Sequence, residues 1–327
     1  MQRTGKRMPL ISVLLPVYNG GQYLHEAVES TLAQSFSDFE LLILNDGSTD
    51  NSSIILQELE ARDQRIRIIS RENQGLNRSL NELVLAARGQ YLARMDQDDV
   101  CIPSRFQRQI EFLESHPDHV AVGGWIMQMN EVGLPIGIIK SPCEHAEIDG
   151  ANLKGYCSVW HPTAFIRKDV MVAVEGYRDE YESAADLDLW LRLAEIGKIA
   201  NVPEIVLRYR LHAGSTSQLK IDAQRASAER ACSSAWQRRG IAGHYEALDP
   251  WRPSGDEESL YKFILQYGWT AWNHGYRQTW RAYVKEALGL KPADAIVGFL
   301  YFGGVATPGP AKQPDPSGVV QEWTGNA

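Results

Sequence analysis

Tyr91-Leu92-Ala93-Arg94-Met95-Asp96-Gln97-Asp98-Asp99 is the stretch on which the reading of this chain turns. Residues 91–95 form a short run of the kind that fills a strand buried on both faces of a parallel sheet. The run ends abruptly in three carboxylates within four positions. Clustered carboxylates repel one another unless positive charge sits between them. A hard divalent cation, Mg²⁺ or Mn²⁺, is the natural guest, because it shares carboxylate ligands with substrate phosphates. The plainer alternative is an Asp-rich turn that caps the helix expected to begin near Pro103. Position favours the metal: in open α/β sheets, ligands collect at the carboxyl ends of strands.

Upstream, residues 10–16, 39–44 and 66–69 read as three earlier strands, with helical spacing at 24–32 and 76–87 between them. This strand–helix rhythm predicts an α/β fold with a parallel sheet covered by helices on both faces. Asp46 follows the second strand within Asn45-Asp46-Gly47-Ser48-Thr49-Asp50, a turn cluster suited to end a strand. Beyond Val100 the order loosens. A helix is expected over 103–115, a strand over 120–129 and loops with a short connection over 131–156. Residues 161–166 and 205–209 read as strands, and Leu187, Trp190, Leu191 and Ala194 share one helix face. A polar loop is expected over 211–217.

From about residue 219 the pattern is helical, and Trp269, Trp272, Tyr276, Trp280 and Tyr283 read as the core of a small helical pack. Residues 303–327, rich in Pro and Gly, are expected to be disordered. The domains expected are therefore 1–218, a helical extension over 219–302, and the tail. Residues 295–305 are apolar but too few to span a bilayer; peripheral contact with a membrane surface is the alternative to a buried helix end.

Composition narrows the class. A net charge of -8 argues against a nucleic-acid partner. Cys101, Cys143, Cys157 and Cys232 form no C-x-x-C pair, which favours reduced thiols in a cytoplasmic protein. No signal-peptide pattern and no run of ~20 apolar residues is found. The usual nucleotide motifs fail as well. The turn after the first strand, Pro16-Val17-Tyr18-Asn19-Gly20-Gly21, is not G-x-G-x-x-G, and no P-loop or G-x-S-x-G occurs. An EF-hand starting at Asp96 would need Gly and Glu where Cys101 and Gln107 stand.

Five blocks then carry a family resemblance: 12–20, 41–50, 87–99, Asp186-Leu187-Asp188-Leu189-Trp190-Leu191-Arg192, and 209–217. In this order they resemble family 2 glycosyltransferases of the GT-A fold, over about residues 9–217. The resemblance implies a nucleotide-sugar donor, UDP-linked because of Asp46, and a saccharide or lipid-linked acceptor. It implies that Pro16, Tyr18 and Asn19 floor the base pocket, that Asp46 accepts from a base N–H, and that Arg71 contacts base or phosphate. Asp96 would face the ribose or sugar, Asp98 would bind the metal and Asp99 would support it. His212 would reach the metal or diphosphate.

Asp186 would be the catalytic base, with a plain N-cap as its ordinary reading and Asp188 as the fallback base. Here the chain departs from the family, whose Glu-Asp pair reads Ala185-Asp186. The resemblance further implies inversion at the anomeric carbon and work in cell-surface polysaccharide or glycan assembly. A nucleotidyltransferase and a non-catalytic nucleotide-sugar-binding scaffold are the rival classes.

Overall fold

The computed structural model describes residues 8–212, 221–247 and 256–292; the expected tail at 303–327, the apolar run at 295–305 and most of the polar loop at 211–217 lie outside them. The described residues form a nine-stranded sheet in the order β3-β2-β1-β4-β8-β6-β9-β5, with β7 paired to β6. Its strands are β1 (Ile11–Val17), β2 (Phe39–Asp46), β3 (Ile66–Arg71), β4 (Tyr91–Arg94), β5 (Val100–Cys101), β6 (His119–Met129), β7 (Pro135–Ile139), β8 (Phe165–Arg167) and β9 (Lys198–Arg210).

The first four strands are parallel, with Leu14 level with Leu42 on one side and Arg94 on the other. The residues of β1 and β2 are buried on both faces, as parallel pairing under crossover helices requires. The crossovers are α1 (Leu24–Leu32), α2 (Ser52–Arg62) and α3 (Leu76–Ala86). Leu80, Leu83 and Val84 of α3 pack with Leu14, Leu42 and Leu44 of the sheet in one core.

The second half of the sheet is different. β8 runs antiparallel to both β4 and β6, and β5 antiparallel to β9. Some of this half departs from the sequence expectation. Residues 131–156 hold β7 and the helix α5 (His145–Asn152) rather than loops alone. Residues 161–163 are a single 3-10 turn, and the strand begins only at Phe165. β9 is thirteen residues long where only 205–209 reads as strand. Pro203 and Glu204, both exposed, interrupt its apolar pattern without breaking the strand.

The helix α4 (Arg105–Ser115) fixes the end of β4. Its first residue, Arg105, is fully buried, and the guanidinium donates to the Arg94 carbonyl at 2.8 Å and to Gln109 Oε1 at 3.0 Å. A buried charge persists only when its donors are satisfied this way. Ser104 is the N-cap of α4, so the Asp96–Asp99 turn does not cap that helix. This removes the plainer reading of the aspartates.

The chain divides into two compact units, Met1–Ile126 with Ser141–Tyr209 and Lys220–Ala247, and Met127–Lys140 with Arg210–Leu219 and Leu248–Ala327. In the first, the short helix α6 (Lys168–Ala173) follows β8, and α7 (Ala185–Leu193) packs against α8 (Ile221–Arg239) through Leu187, Leu191, Ala228, Ala231 and Ala235. The helix that opens after residue 219 therefore belongs to the unit that carries the parallel sheet. In the second unit, α9 (Glu257–Asn273) and α10 (Arg277–Leu290) form a hairpin. Gly275 turns it at φ 81°, a left-handed conformation that glycine adopts without strain. Tyr261, Trp280 and Tyr283 are buried with Ile136, whereas Trp269, read from the sequence as core, is exposed.

Candidate active site

The strand order places β1 between β2 and β4, so the chain's winding direction reverses between β1 and β4. A crevice at the carboxyl ends of strands opens at such a reversal. Three loops meet there: residues 18–21 after β1, 46–51 at the end of β2, and 96–99 after β4.

The first two loops are zipped together. The backbone N–H groups of Asn19, Gly20 and Gly21 donate to Ser48 Oγ, Ser52 Oγ and Asp50 Oδ2 at 3.0, 3.0 and 2.9 Å. Asn19, at φ 51°, returns a bond by accepting from the Thr49 N–H at 2.8 Å. The Asn19 side chain thus braces the loop. Donors from Ser52 and Gly21 also hold the Asp50 carboxyl below its usual range, against the cost of partial burial. Pro16 lies in β1, level with Leu44. Tyr18 stands outside this web, with 48% of its surface exposed at the strand end.

Asp46 is buried, accepts from the Gln74 and Gly75 N–H groups at 3.0 and 2.8 Å, and forms an ion pair with Arg71 Nη1 at 3.1 Å. The Arg71 side chain is only 13% exposed. It also holds Glu82 Oε2 and Ser79 Oγ, each at 2.9 Å. Gly47 allows this closeness: at φ 75°, a Cβ there would stand 2.7 Å from the Asn73 nitrogen.

The third loop holds the acidic group. Asp96, Asp98 and Asp99 each offer an oxygen, and these oxygens lie within 4.8 Å of one another. Asp96 and Asp98 are half-buried and Asp99 is buried. Burial pushes the Asp96 carboxyl above its ordinary range, and Asp98 adds to this, while an ion pair with the buried Arg94 pulls the other way. The donor set is all oxygen, which suits a hard cation such as Mg²⁺ or Mn²⁺, and a cation would relieve the repulsion that Asp96 feels. The residues therefore fit the metal expected from the sequence.

Between these loops, Gln97 makes two bonds to one residue. Its Oε1 accepts from the Tyr18 N–H at 2.9 Å, and its Nε2 donates to the Tyr18 carbonyl at 3.1 Å.

Asp186 sits in the first turn of α7. Ala184, not Asp186, is the N-cap, so the ordinary reading of Asp186 as a cap does not hold. Its Oδ2 accepts from the Cys157 thiol at 3.3 Å. Burial, and then the Asp186 charge, push that thiol well above its usual range and keep it protonated. Asp188 is fully buried and bound by Arg192 at 2.7 and 2.9 Å, which removes it as the fallback base.

The Tyr177 hydroxyl is buried within reach of several of these charges. Burial raises it, and it feels the charges of Arg94, Asp186 and Asp96. It shares a 2.8 Å hydrogen bond with His161 Nε2. Burial and Arg94 hold His161 well below its ordinary range, so the imidazole is neutral. His212 lies two residues past the end of β9, in the second unit.

Sequence reasoning does not single out Arg94, Gln97, Cys157, His161 or Tyr177. A charged residue inside the apolar run at 91–95 is the one available signal, and it points to Arg94 alone. Cys157, His161 and Tyr177 come from distant segments that only the tertiary fold assembles.

Comparison with known proteins agrees with this geometry. The sequence matches the family described as Glycosyl transferase family 2 over residues 12–172. It is 34% identical over 215 residues to the O-antigen biosynthesis glycosyltransferase WbnJ of Escherichia coli, covering 64% of this chain and 83% of that protein. Among solved structures, Staphylococcus aureus TarS 1-349 in complex with UDP-GlcNAc aligns with a TM-score of 0.57 and 15% identity, over 86% of this chain and 81% of that one. The mannosyltransferase PcManGT of Pyrobaculum calidifontis, in complex with GDP-Man and Mn²⁺, aligns at 0.54 and 15%, over 92% and 81%. The sheet with its strand-end loops is thus the GT-A type of fold. With its parallel half, its acidic loop and a relative covered over most of its length, this chain belongs to glycosyltransferase family 2.

Proposed function

We propose that the enzyme transfers a sugar from a nucleoside-diphosphate donor, UDP-linked by preference, to a saccharide or lipid-linked acceptor, with inversion at the anomeric carbon. The observation that carries this reading is the meeting of an exposed aromatic, Tyr18, and a tight group of three aspartates at one chain reversal. Tyr18 packs on the base, above Pro16 and the Asn19 turn. Asp46 and Arg71 read the base edge; the backbone N–H groups that Asp46 already holds fix the carboxylate rather than exhaust it, since two oxygens carry about four acceptor sites. Asp96 faces the ribose or sugar.

Asp98, supported by Asp99, would hold Mn²⁺ or Mg²⁺. When bound there, the ion would supply Lewis-acid stabilisation for the departing diphosphate. Asp186 takes the proton of the acceptor hydroxyl as that oxygen bonds to the anomeric carbon. The bond from that carbon to the phosphate oxygen breaks, and the electron pair leaves with the nucleoside diphosphate.

The biological setting we infer is cell-surface polysaccharide or glycan assembly, in keeping with the O-antigen biosynthesis of the relative WbnJ. No described helix is long and apolar enough to cross a membrane. A cytoplasmic enzyme that meets the membrane peripherally fits a lipid-linked acceptor.

The test is a thermal-shift panel of nucleotide sugars with and without Mn²⁺. Only a ligand that binds the native state better than the unfolded one raises the melting temperature. A UDP-sugar that stabilises the protein more in Mn²⁺ is expected. A panel in which no nucleotide sugar shifts the transition contradicts the donor reading.

A further inference from the structure

We propose that Gln97 is a positioning residue that couples the base pocket to the acidic loop, so that ordering one orders the other. This coupling rests on the donor-site reading above and on the geometry of a single amide. Tyr18 offers one backbone N–H and one carbonyl on the same side, and the Gln97 side chain meets both, at 2.9 and 3.1 Å. An amide carries one acceptor oxygen and one donor nitrogen, so only one orientation satisfies both bonds. The side chain therefore behaves as one more rung of strand pairing between the ends of β1 and β4.

The neighbours of Gln97 make the coupling specific. Asp96 and Asp98 flank it directly, so its backbone is the backbone of the acidic loop. Among the described residues, Gln97 alone supplies a side-chain bond to the Tyr18 backbone, whereas Asn19, Gly20 and Gly21 are each held by the 48–52 segment. The exposed aromatic is thus placed by Gln97 from one side and by the chain itself from the other. Gly20 also belongs to this arrangement. A Cβ at Gly20 would lie 2.4 Å from Gln97 Oε1 and 2.6 Å from its Cδ. The absence of a side chain at 20 is what lets the amide reach Tyr18. Neither group reacts or touches a reacting atom; the effect passes through Tyr18 and the aspartates.

The experiment measures UDP binding by titration calorimetry in Mn²⁺ for the wild type, Gln97→Ala, Tyr18→Ala and the double variant. Losing both bonds should weaken binding roughly tenfold in Gln97→Ala. Because part of that loss acts through the placing of the Tyr18 ring, the double variant should lose less than the sum of the two single losses. Gly20→Ala supplies an independent route: it displaces only the far end of a flexible side chain, and should reproduce the Gln97→Ala loss with an unchanged melting temperature. Additive losses in the double variant, or wild-type affinity in both Gln97→Ala and Gly20→Ala, overturn the coupling while leaving the donor site intact. A wild-type protein that binds neither UDP nor GDP in Mn²⁺ overturns the donor reading, and the coupling with it.

Discussion

The two sides of the active site are built in opposite ways. On the strand-end side, loops 18–21, 46–51 and 96–99 are held by hydrogen bonds between side chains and backbone, three of them between the β1 loop and the segment after β2. On the α7 side, Asp186 takes a tertiary hydrogen bond from the Cys157 thiol and lies among buried groups whose protonation is displaced. The strand-end side is a shape fixed in advance. The α7 side is a local dielectric, in which a carboxylate, a neutral imidazole and a protonated phenol stand close together. On the proposed function, the fixed shape would serve donor binding and the Asp186 side the proton transfer.

That contrast is tested most severely at Asp186. Asp186→Asn should lower turnover by about 10²–10⁴-fold, the usual worth of a positioned base, while UDP binding in Mn²⁺ stays at the wild-type level. Turnover is read as nucleoside diphosphate released in the presence of acceptor. Unchanged turnover would move the base elsewhere.

Two residues along, the same helix should respond in stability instead. Asp188→Ala leaves the buried Arg192 charge without its carboxylate, at a cost of about 3–5 kcal/mol in urea unfolding. A loss under about 1 kcal/mol would show that the pair is not the anchor of α7.

A smaller effect separates the two sides by pH. The folded state holds His161 well below its ordinary value of 6.5, so its neutral form is favoured in the native protein. A depressed folded value gives stability that is fully present above the unfolded pKa and is lost as pH falls below it. Between about pH 7.5 and 5.5 the wild type should therefore lose up to about 1.4 kcal/mol per pH unit once below about 6.5. His161→Gln should flatten that slope, and an equal slope in both proteins would remove His161 from the account.

The parallel half of the sheet was legible because its signals are local. Runs such as 39–44 and 91–95 are buried on both faces, and the turn residues after them sit where chain direction changes. The antiparallel half was less so. β7 is five residues, Pro135-Ile136-Gly137-Ile138-Ile139, whose Pro and Gly read as loop, and Ile136 is fixed by packing with the hairpin of α9 and α10. β9 contains Pro203, so only its apolar second half stood out.

The site divides the same way. Asp96, Asp98 and Asp99 are neighbours in sequence and cluster in space. Asp46 and Arg71 end adjacent parallel strands and pair, which a sequence cannot display. Cys157, His161 and Tyr177 reach Asp186 and Arg94 from segments with no motif of their own, and no local pattern announces them.

On the proposed function, the aspartates after β4 form the metal and diphosphate end of a donor site. Titration of UDP into the wild type and Asp98→Ala, each with and without Mn²⁺, tests it most directly. Mn²⁺ should strengthen UDP binding to the wild type and do nothing for Asp98→Ala. Equal Mn²⁺ enhancement in both proteins would contradict it.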